Sequence, residues 1–169
     1  MTQFDIKDAT AENIEDCYLV RPRVKKQEPG YFERCLSEQE DGKRQLYLAY
    51  QGDMPVGYVH LIWTPKYLPF VKQAMPEIQD LYVAHDGRQQ GAGRALVAHC
   101  EEAARQAEKE HIGIGVGLYR DYGAAQRLYV QMGYVPDGAG IVYDNEQVSP
   151  GEMRAVDDFL CLKLVKSLS

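Results

Sequence analysis

Apolar and polar residues alternate along this chain with two different periods, and the switches between them predict its elements. "FDIK", Phe4 to Lys7, alternates residue by residue, as a short strand does. From Ala11 to Val20 the period lengthens, with Ile14, Cys17 and Tyr18 at the spacing that lines one face of a helix. "RPRVKKQEPG" holds two prolines and reads as a basic loop. A second helix is predicted from Tyr31 to about Glu40, with Phe32, Cys35 and Leu36 inward. "QLYLAYQ" and "VGYVHLIW" form an antiparallel hairpin around "GDMP", where Gly52, Asp53 and Pro55 are turn residues.

"TPKYLPFVKQAMP" contains three prolines and several exposed-looking apolar residues, and it reads as a loop. A loop of that length is more often functional than idle. "EIQDLYVA" is a strand that runs through "HDGRQQG" into a long helix, Ala92 to about Lys109. There Leu96, Cys100, Ala103 and Ala107 share the inner face, while Arg94, Glu101, Arg105 and Glu108 face water. Glu101 and Arg105 form an i,i+4 pair in the favourable order. "IGIGVGLY" is a glycine-rich strand. A short helix follows, with Asp121 as its N-cap and Gly133 at its end. "FLCLKLV" is the final strand. The expected class is a mixed α/β fold.

Composition narrows the functional classes. The chain has 169 residues with no repeat or low-complexity linker, so one domain over residues 1–169 is expected. A formal net charge of -6 argues against general binding to nucleic acid or to acidic membranes. Cys17, Cys35, Cys100 and Cys161 are widely spaced and form no CxxC pair, as reduced thiols in a cytoplasmic protein would be; no metal site is expected. The opening "MTQFDIKDAT" has early charges and no apolar run, so no leader peptide is expected. The longest apolar segment, "VGYVHLIW", is too short to span a bilayer.

The candidate chemistry centres on "RQQGAG", Arg88 to Gly93, where a strand gives way to the long helix. A helix start leaves backbone N–H groups without partners and carries partial positive charge. Gly91 and Gly93 have no side chain to keep a ligand off those groups, and Arg88 adds a fork-shaped donor, so a phosphate or pyrophosphate would suit the place. The alternative is that both glycines serve only the turn and close packing. A P-loop needs Lys followed by Ser or Thr, and Arg94-Ala95 stands there instead; the GxGxxG fingerprint is also incomplete.

"LYV…RQQGAGRAL" followed by "AAQRLYVQMGY" closely resembles the Gcn5-related N-acetyltransferase (GNAT) superfamily. Arg88, Gly91 and Gly93 match its Arg/Gln-x-x-Gly-x-Gly/Ala motif, and Ala125, Leu128, Tyr129, Gly133 and Tyr134 match a second. The resemblance is firm from about Glu77 to Pro136. It implies a mostly antiparallel twisted sheet of about six to seven strands, flanked by about four helices and splayed between the fourth and fifth strands. It also implies acetyl-coenzyme A as cofactor. Its diphosphate would lie on Arg88, Gln89, Gln90, Gly91, Ala92, Gly93, Arg94 and Ala95, and its pantetheine arm along Leu81, Tyr82 and Val83.

In such enzymes a tyrosine near the thioester sulfur protonates the departing thiolate, and the resemblance gives that role to Tyr129. Read alone, Tyr129 shares a helical face with Ala125, Leu128 and Met132 and fits an ordinary core. The base is left between Glu77 and Asp80, through water if needed, which strand alternation puts on opposite faces; a solvated strand end is the plain alternative for each. His60 and His85 are weaker candidates. Backbone N–H groups from Leu81 to Val83 are the expected oxyanion donors.

Two positions depart from the family. Tyr122 stands where relatives often carry a cofactor-contacting Asn, leaving Asp121 or Tyr122 to replace it. Gly117 stands where some relatives place a carboxylate.

The acceptor would be a primary amine of a small molecule or peptide. Tyr31, Phe32, Trp63, Tyr67 and Phe70 form an aromatic set that either lines its pocket or covers the core. Asp144, Glu146, Glu152 and Asp157 would favour a cationic amine or be simply solvated. A homodimer is left open, as is a non-catalytic acyl-CoA sensor of the same fold.

Overall fold

The protein's structure, a computed structural model, describes residues 3–169. It has a mixed α/β fold with an open, mostly antiparallel sheet of eight strands. Residues 3–63 and 78–103 form one compact unit, and residues 64–77 and 104–169 form the other.

In the first unit, β1 (Asp5–Asp8), β2 (Arg44–Gln51), β3 (Met54–Ile62) and most of β4 (Glu77–Val83) are neighbours in that order. The β2–β3 hairpin closes through Gly52 (φ 60) and Asp53, with Gln51 opposite Met54; glycine with positive φ leads such two-residue turns. β3 is buried on both faces from Val56 to Ile62. On one face its Tyr58 joins Leu46, Leu48 and Tyr50 of β2 against Cys17, Tyr18 and Val20 of α1 (Ile14–Val20) and Phe32 and Cys35 of α3 (Tyr31–Glu40). The opposite face receives α5 (Ala92–Gln106): Tyr47 meets His99 edge-on, and Gly57 leaves room for Leu96 and the Tyr82 carbonyl.

Several expectations are corrected here. The basic loop contains one helical turn, α2 (Val24–Gln27), and the proline-rich loop contains α4 (Leu68–Lys72), with a proline in its first turn where the missing N–H does no harm. The first helix starts at Ile14 rather than Ala11, and the long one stops at Gln106, with Glu108 left-handed (φ 57). Glu101 is buried rather than facing water, and Ala107 is exposed. Asp121 caps no helix: it lies inside a 3-10 turn, Arg120–Tyr122, and α6 (Gly123–Gln131) has Tyr122 at its N-cap. Gly133 (φ 90) does end α6, in the left-handed conformation that favours glycine there.

In the second unit β5 (His111–Gly117) pairs antiparallel with β8 (Leu160–Ser167), and β6 (Val135–Tyr143) lies between β8 and the short β7 (Glu146–Gln147). The turn from β6 to β7 carries Asp144, and β7 begins at Glu146, two of the acidic residues named above. Gly138 and Gly140, both at positive φ, carry β6 through a register shift between Pro136 and Ile141 and hide its alternation. The glycines of β5 now have a physical reason. Gly113, Gly115 and Gly117 fall on one face: Gly113 and Gly117 each receive a ring that a side chain would block, Phe70 and Tyr122, and Gly115 lies beneath the Lys163–Glu77 pair, where a Cβ would sit 3.3 Å from the ammonium. A Cβ on Gly113 would lie 2.2 Å from Phe70 Cε2. Gly113→Ala should therefore cost about 1–3 kcal/mol, the usual range for overpacking, read as a lowered urea midpoint.

Candidate active site

In β4, Asp80 takes φ 47, a left-handed conformation inside a strand. Asp is among the few residues that adopt it without glycine's freedom, and a left-handed residue is the backbone mark of one kind of β-bulge. The kink turns the Asp80 side chain toward α1 and α3. Its Oδ1 accepts from Arg21 Nη1 at 3.0 Å; its Oδ2 accepts from the Tyr31 and Tyr58 hydroxyls, each at 3.0 Å. His60 Nε2 is 3.7 Å from Oδ2. A third of the Asp80 side chain stays open to solvent. Burial holds its carboxyl above the ordinary carboxylate range, against the opposing pull of Arg21 and the two hydroxyls. Arg21 also lies 4.7 Å above the Tyr82 ring.

Sequence reasoning named Asp80 and Tyr31 but missed Arg21 and Tyr58 and ranked His60 low. The available signal was the alternation of Tyr58 and His60, which puts two polar groups on one face of a strand buried on both sides. His60 is fully buried, and burial, with Arg44 nearby second, pushes its pKa down to about 3. It is a neutral imidazole at any ordinary pH. His85, by contrast, is exposed.

Glu77, the other candidate base, is 1% exposed and bound to the Lys163 ammonium, which also donates to Asn145 Oδ1 at 3.0 Å. The Tyr67 ring lies 5.2 Å below that ammonium.

Beyond the kink, Leu81, Tyr82 and Val83 are half-buried. Arg88 folds back so that its Nε donates to the Val83 carbonyl at 3.0 Å. Gln90 is tied to the scaffold, donating to the Asp86 carbonyl at 2.9 Å and accepting from Gln51 at 3.2 Å. Gln89 (φ 61) and Gly91 (φ 99) turn the chain, both exposed. At the start of α5 the Ala95 N–H donates to the Gly91 carbonyl at 3.0 Å. The amides of Ala92 and Gly93 precede it, where no helical carbonyl reaches. Ala92 is buried, Gly93 and Ala95 half-buried and Arg94 exposed. Space over Gly91 is open: a Cβ there would meet nothing nearer than Phe4 Cε2 at 3.8 Å.

In the second unit, Tyr129 of α6 is 4% exposed, its ring tilted against Tyr134, and burial raises its pKa so that the phenol keeps its proton. The two departures at 117 and 122 turn out to be one arrangement. The Tyr122 ring lies where a side chain on Gly117 would go, with Cδ2 2.3 Å from the position of such a Cβ. Its hydroxyl donates to Asp158 Oδ1 at 2.8 Å, and the Tyr119 hydroxyl donates to the same oxygen. Asp121 is exposed.

Of the aromatic set, Tyr31 reaches Asp80, and Trp63 is half-buried. Phe32, 0% exposed, is core, packed edge-on to Tyr18, Tyr31 and Tyr58. Tyr67 and Phe70 are buried with Met75 and Val142, and Tyr67 donates to Asp137 at 2.7 Å. Asp157 accepts from the Tyr143 hydroxyl, and Glu152 pairs with Arg154. Among the described residues no helix is long and apolar enough to cross a membrane, and no group of His, Cys, Asp and Glu is placed to hold a metal ion.

The family model for GNAT acetyltransferases matches residues 9–134. The chain belongs to the GNAT acetyltransferase family. No protein of curated function matches its sequence. Among solved structures, it is similar to a GNAT-family protein from Desulfovibrio desulfuricans, with TM-score 0.73 and 15% identity over 99% of this chain and 100% of that one. A ribosomal-protein-alanine N-acetyltransferase from Brucella melitensis matches with TM-score 0.70 and 17% identity, covering 96% of this chain and 99% of the other. A GNAT acetyltransferase from Elizabethkingia anophelis, solved with acetyl-CoA bound, matches with TM-score 0.64 and 18% identity over 99% of each chain. At these identities the likeness is one of fold.

The buried imidazole makes a pH-dependent contribution to stability. The unfolded chain takes up a proton at His60 below about pH 6.5, while the folded protein takes it up only near pH 3, so this contribution is lost as pH falls through that window. Asp80, with its raised carboxyl, contributes with the opposite sign. Comparison with His60→Gln isolates the histidine. Between about pH 7 and about pH 4, the native protein's urea midpoint should fall relative to the variant's; a constant difference would contradict a buried neutral ring.

Proposed function

We propose that this protein is an acetyl-CoA-dependent N-acetyltransferase acting on a primary amine of a small molecule or peptide by direct attack. The observation that carries this reading is the run from Asp80 to Gly93, in which a strand kinked at an aspartate leads through an exposed glycine turn into the open end of a long helix. The open space over Gly91 and the amides at the start of α5 fit a diphosphate.

Acetyl-CoA supplies an activated thioester whose acetyl group passes to nitrogen as a thiolate leaves. The amides of Gly91, Ala92 and Gly93 bind the diphosphate, with the Arg88 guanidinium held against Val83 by its Nε and presenting its other donors. Gln90 serves through its main chain, since its side chain is engaged. The N–H groups of Leu81 to Val83 stabilise negative charge on the acetyl oxygen.

Asp80 is the base, taking the amine's proton directly or through one water. Its raised carboxyl brings its basicity closer to the working pH, where a general base is most effective. Glu77, engaged by Lys163, is given a structural part. Tyr129, kept protonated by burial, is the general acid for the thiolate. A protein of the same fold is a ribosomal-protein-alanine N-acetyltransferase, so a peptide α-amine belongs beside small amines among the acceptors tested.

Thiol release from acetyl-CoA, measured over a panel of primary amines and a peptide N-terminus, tests the activity. Tight CoA binding without transfer to any amine would point instead to an acyl-CoA sensor. Tyr129→Phe and Asp80→Asn should each lower kcat by about 10²-fold, within the usual range for an acid–base group, with CoA affinity nearly unchanged. An unaltered rate removes that residue from the mechanism. Gly91→Val should weaken CoA binding, measured by calorimetry, by about tenfold or more, because a branched side chain at φ 99 is strained and covers the amides.

A further inference from the structure

Behind Asp80 lies a line of hydrogen bonds with one allowed direction. Arg44 Nη1 is 3.2 Å from His60 Nδ1. A guanidinium only donates, so Nδ1 accepts and carries no proton. The neutral ring therefore bears its proton on Nε2. That nitrogen stands 3.4 Å from the Tyr31 hydroxyl oxygen, and the Tyr31 hydroxyl donates to Asp80 Oδ2 at 3.0 Å. Each donor points toward the partly open carboxylate. Arg44 is itself fixed by Glu38 through Nη2, and its Nη1 also lies 3.6 Å from Cys35 Sγ.

We propose that Arg44 and His60 are positioning residues, which hold the Tyr31 hydroxyl proton on Asp80 and thereby select Oδ1 as the atom that accepts the substrate's proton. The proposal rests on the reading of Asp80 as the base. Each carboxylate oxygen has two lone pairs. Oδ2 spends both on the Tyr31 and Tyr58 hydroxyls, while Oδ1 accepts from Arg21 and keeps one. With His60 in place, the Tyr31 oxygen accepts from Nε2, so its own proton is directed to Oδ2. Without that donor the hydroxyl is free to turn, and Oδ2 regains a site for a proton.

The groups that face Asp80 are Arg21 at the end of α1, Tyr31 on α3, Tyr58 and His60 on β3, and Tyr82, whose ring underlies Arg21, on β4 itself. His60 in turn faces Arg44 of β2, Tyr31 and Tyr58. A hydrogen bond to a carboxylate favours its charged form, so loss of the Tyr31 bond raises the Asp80 pKa. The limb of the kcat/KM profile that requires ionised Asp80 then moves to higher pH.

His60→Leu and Tyr31→Phe should each move that limb up by about half to one pH unit. The double variant should move it no further, because both act through the same bond. His60→Gln, which keeps an amide donor toward Tyr31, should return the limb toward its native position. Additive shifts, or a His60→Leu limb that stays in place, would overturn the proposal. A second measurement does not depend on that variant folding: ¹⁵N NMR of histidine-labelled native protein should show Nε2 protonated and Nδ1 bare. Arg44→Met should let the other tautomer appear. A native ring protonated on Nδ1 refutes the relay. The tautomer is read in the resting protein, so it decides the relay separately from the Asp80→Asn assay, which decides the base.

Discussion

Asp80 stands at a backbone angle that costs energy for any residue with a side chain, in the middle of a strand. What compensates is the set of donors that its carboxylate gathers: the Arg21 guanidinium and the hydroxyls of Tyr31 and Tyr58. Arg21 closes α1, Tyr31 opens α3 and Tyr58 belongs to β3. One ion therefore ties three elements of the first unit to the strand that kinks. The kink lets the carboxylate reach those donors, and the donors keep the kink in place. Burial alone would favour a protonated acid here; charge and hydrogen bonds oppose it.

The second unit is organised around an absence of side chains. Along one face of β5, three glycines in alternate positions admit an aromatic ring, a buried ion pair and a second aromatic ring. Glycine weakens a strand taken alone, since it adds backbone freedom and buries nothing of its own. Here that cost is offset by what packs into the groove. Phe70 reaches this face from α4 and Lys163 from β8, the strand paired with β5, so a short helix is fixed to the sheet by the same run.

Much of this was legible in the sequence, and the failures have physical causes. Long periodic segments announced themselves: Leu96 and Cys100 are buried where the helical spacing put them, and the β2–β3 hairpin closes at Gly52 and Asp53. α2 and α4 were not legible, because one helical turn shows no period and the prolines beside the first and within the second read as breaks. Glu101 misled because charge patterning treats a carboxylate as solvent-facing, whereas its position on α5 is interior. The glycine turn that leads into α5 was legible because it is contiguous. The surroundings of Asp80 were not: Arg21, Tyr31, Tyr58 and His60 come from three separate segments, and nothing local says that they meet. Alternation also placed Glu77 and Asp80 on opposite faces, without foreseeing that a left-handed residue would interrupt the count.

The ring of Tyr122 over Gly117 has a consequence for how this protein can change. Position 117 cannot acquire a side chain while 122 remains aromatic, and a smaller group at 122 would leave bare the space above the glycine and release Asp158 from one of its two phenols. Single substitutions at either place are thus penalised where a simultaneous exchange need not be. Placing any side chain at 117 therefore takes a step of two residues at once.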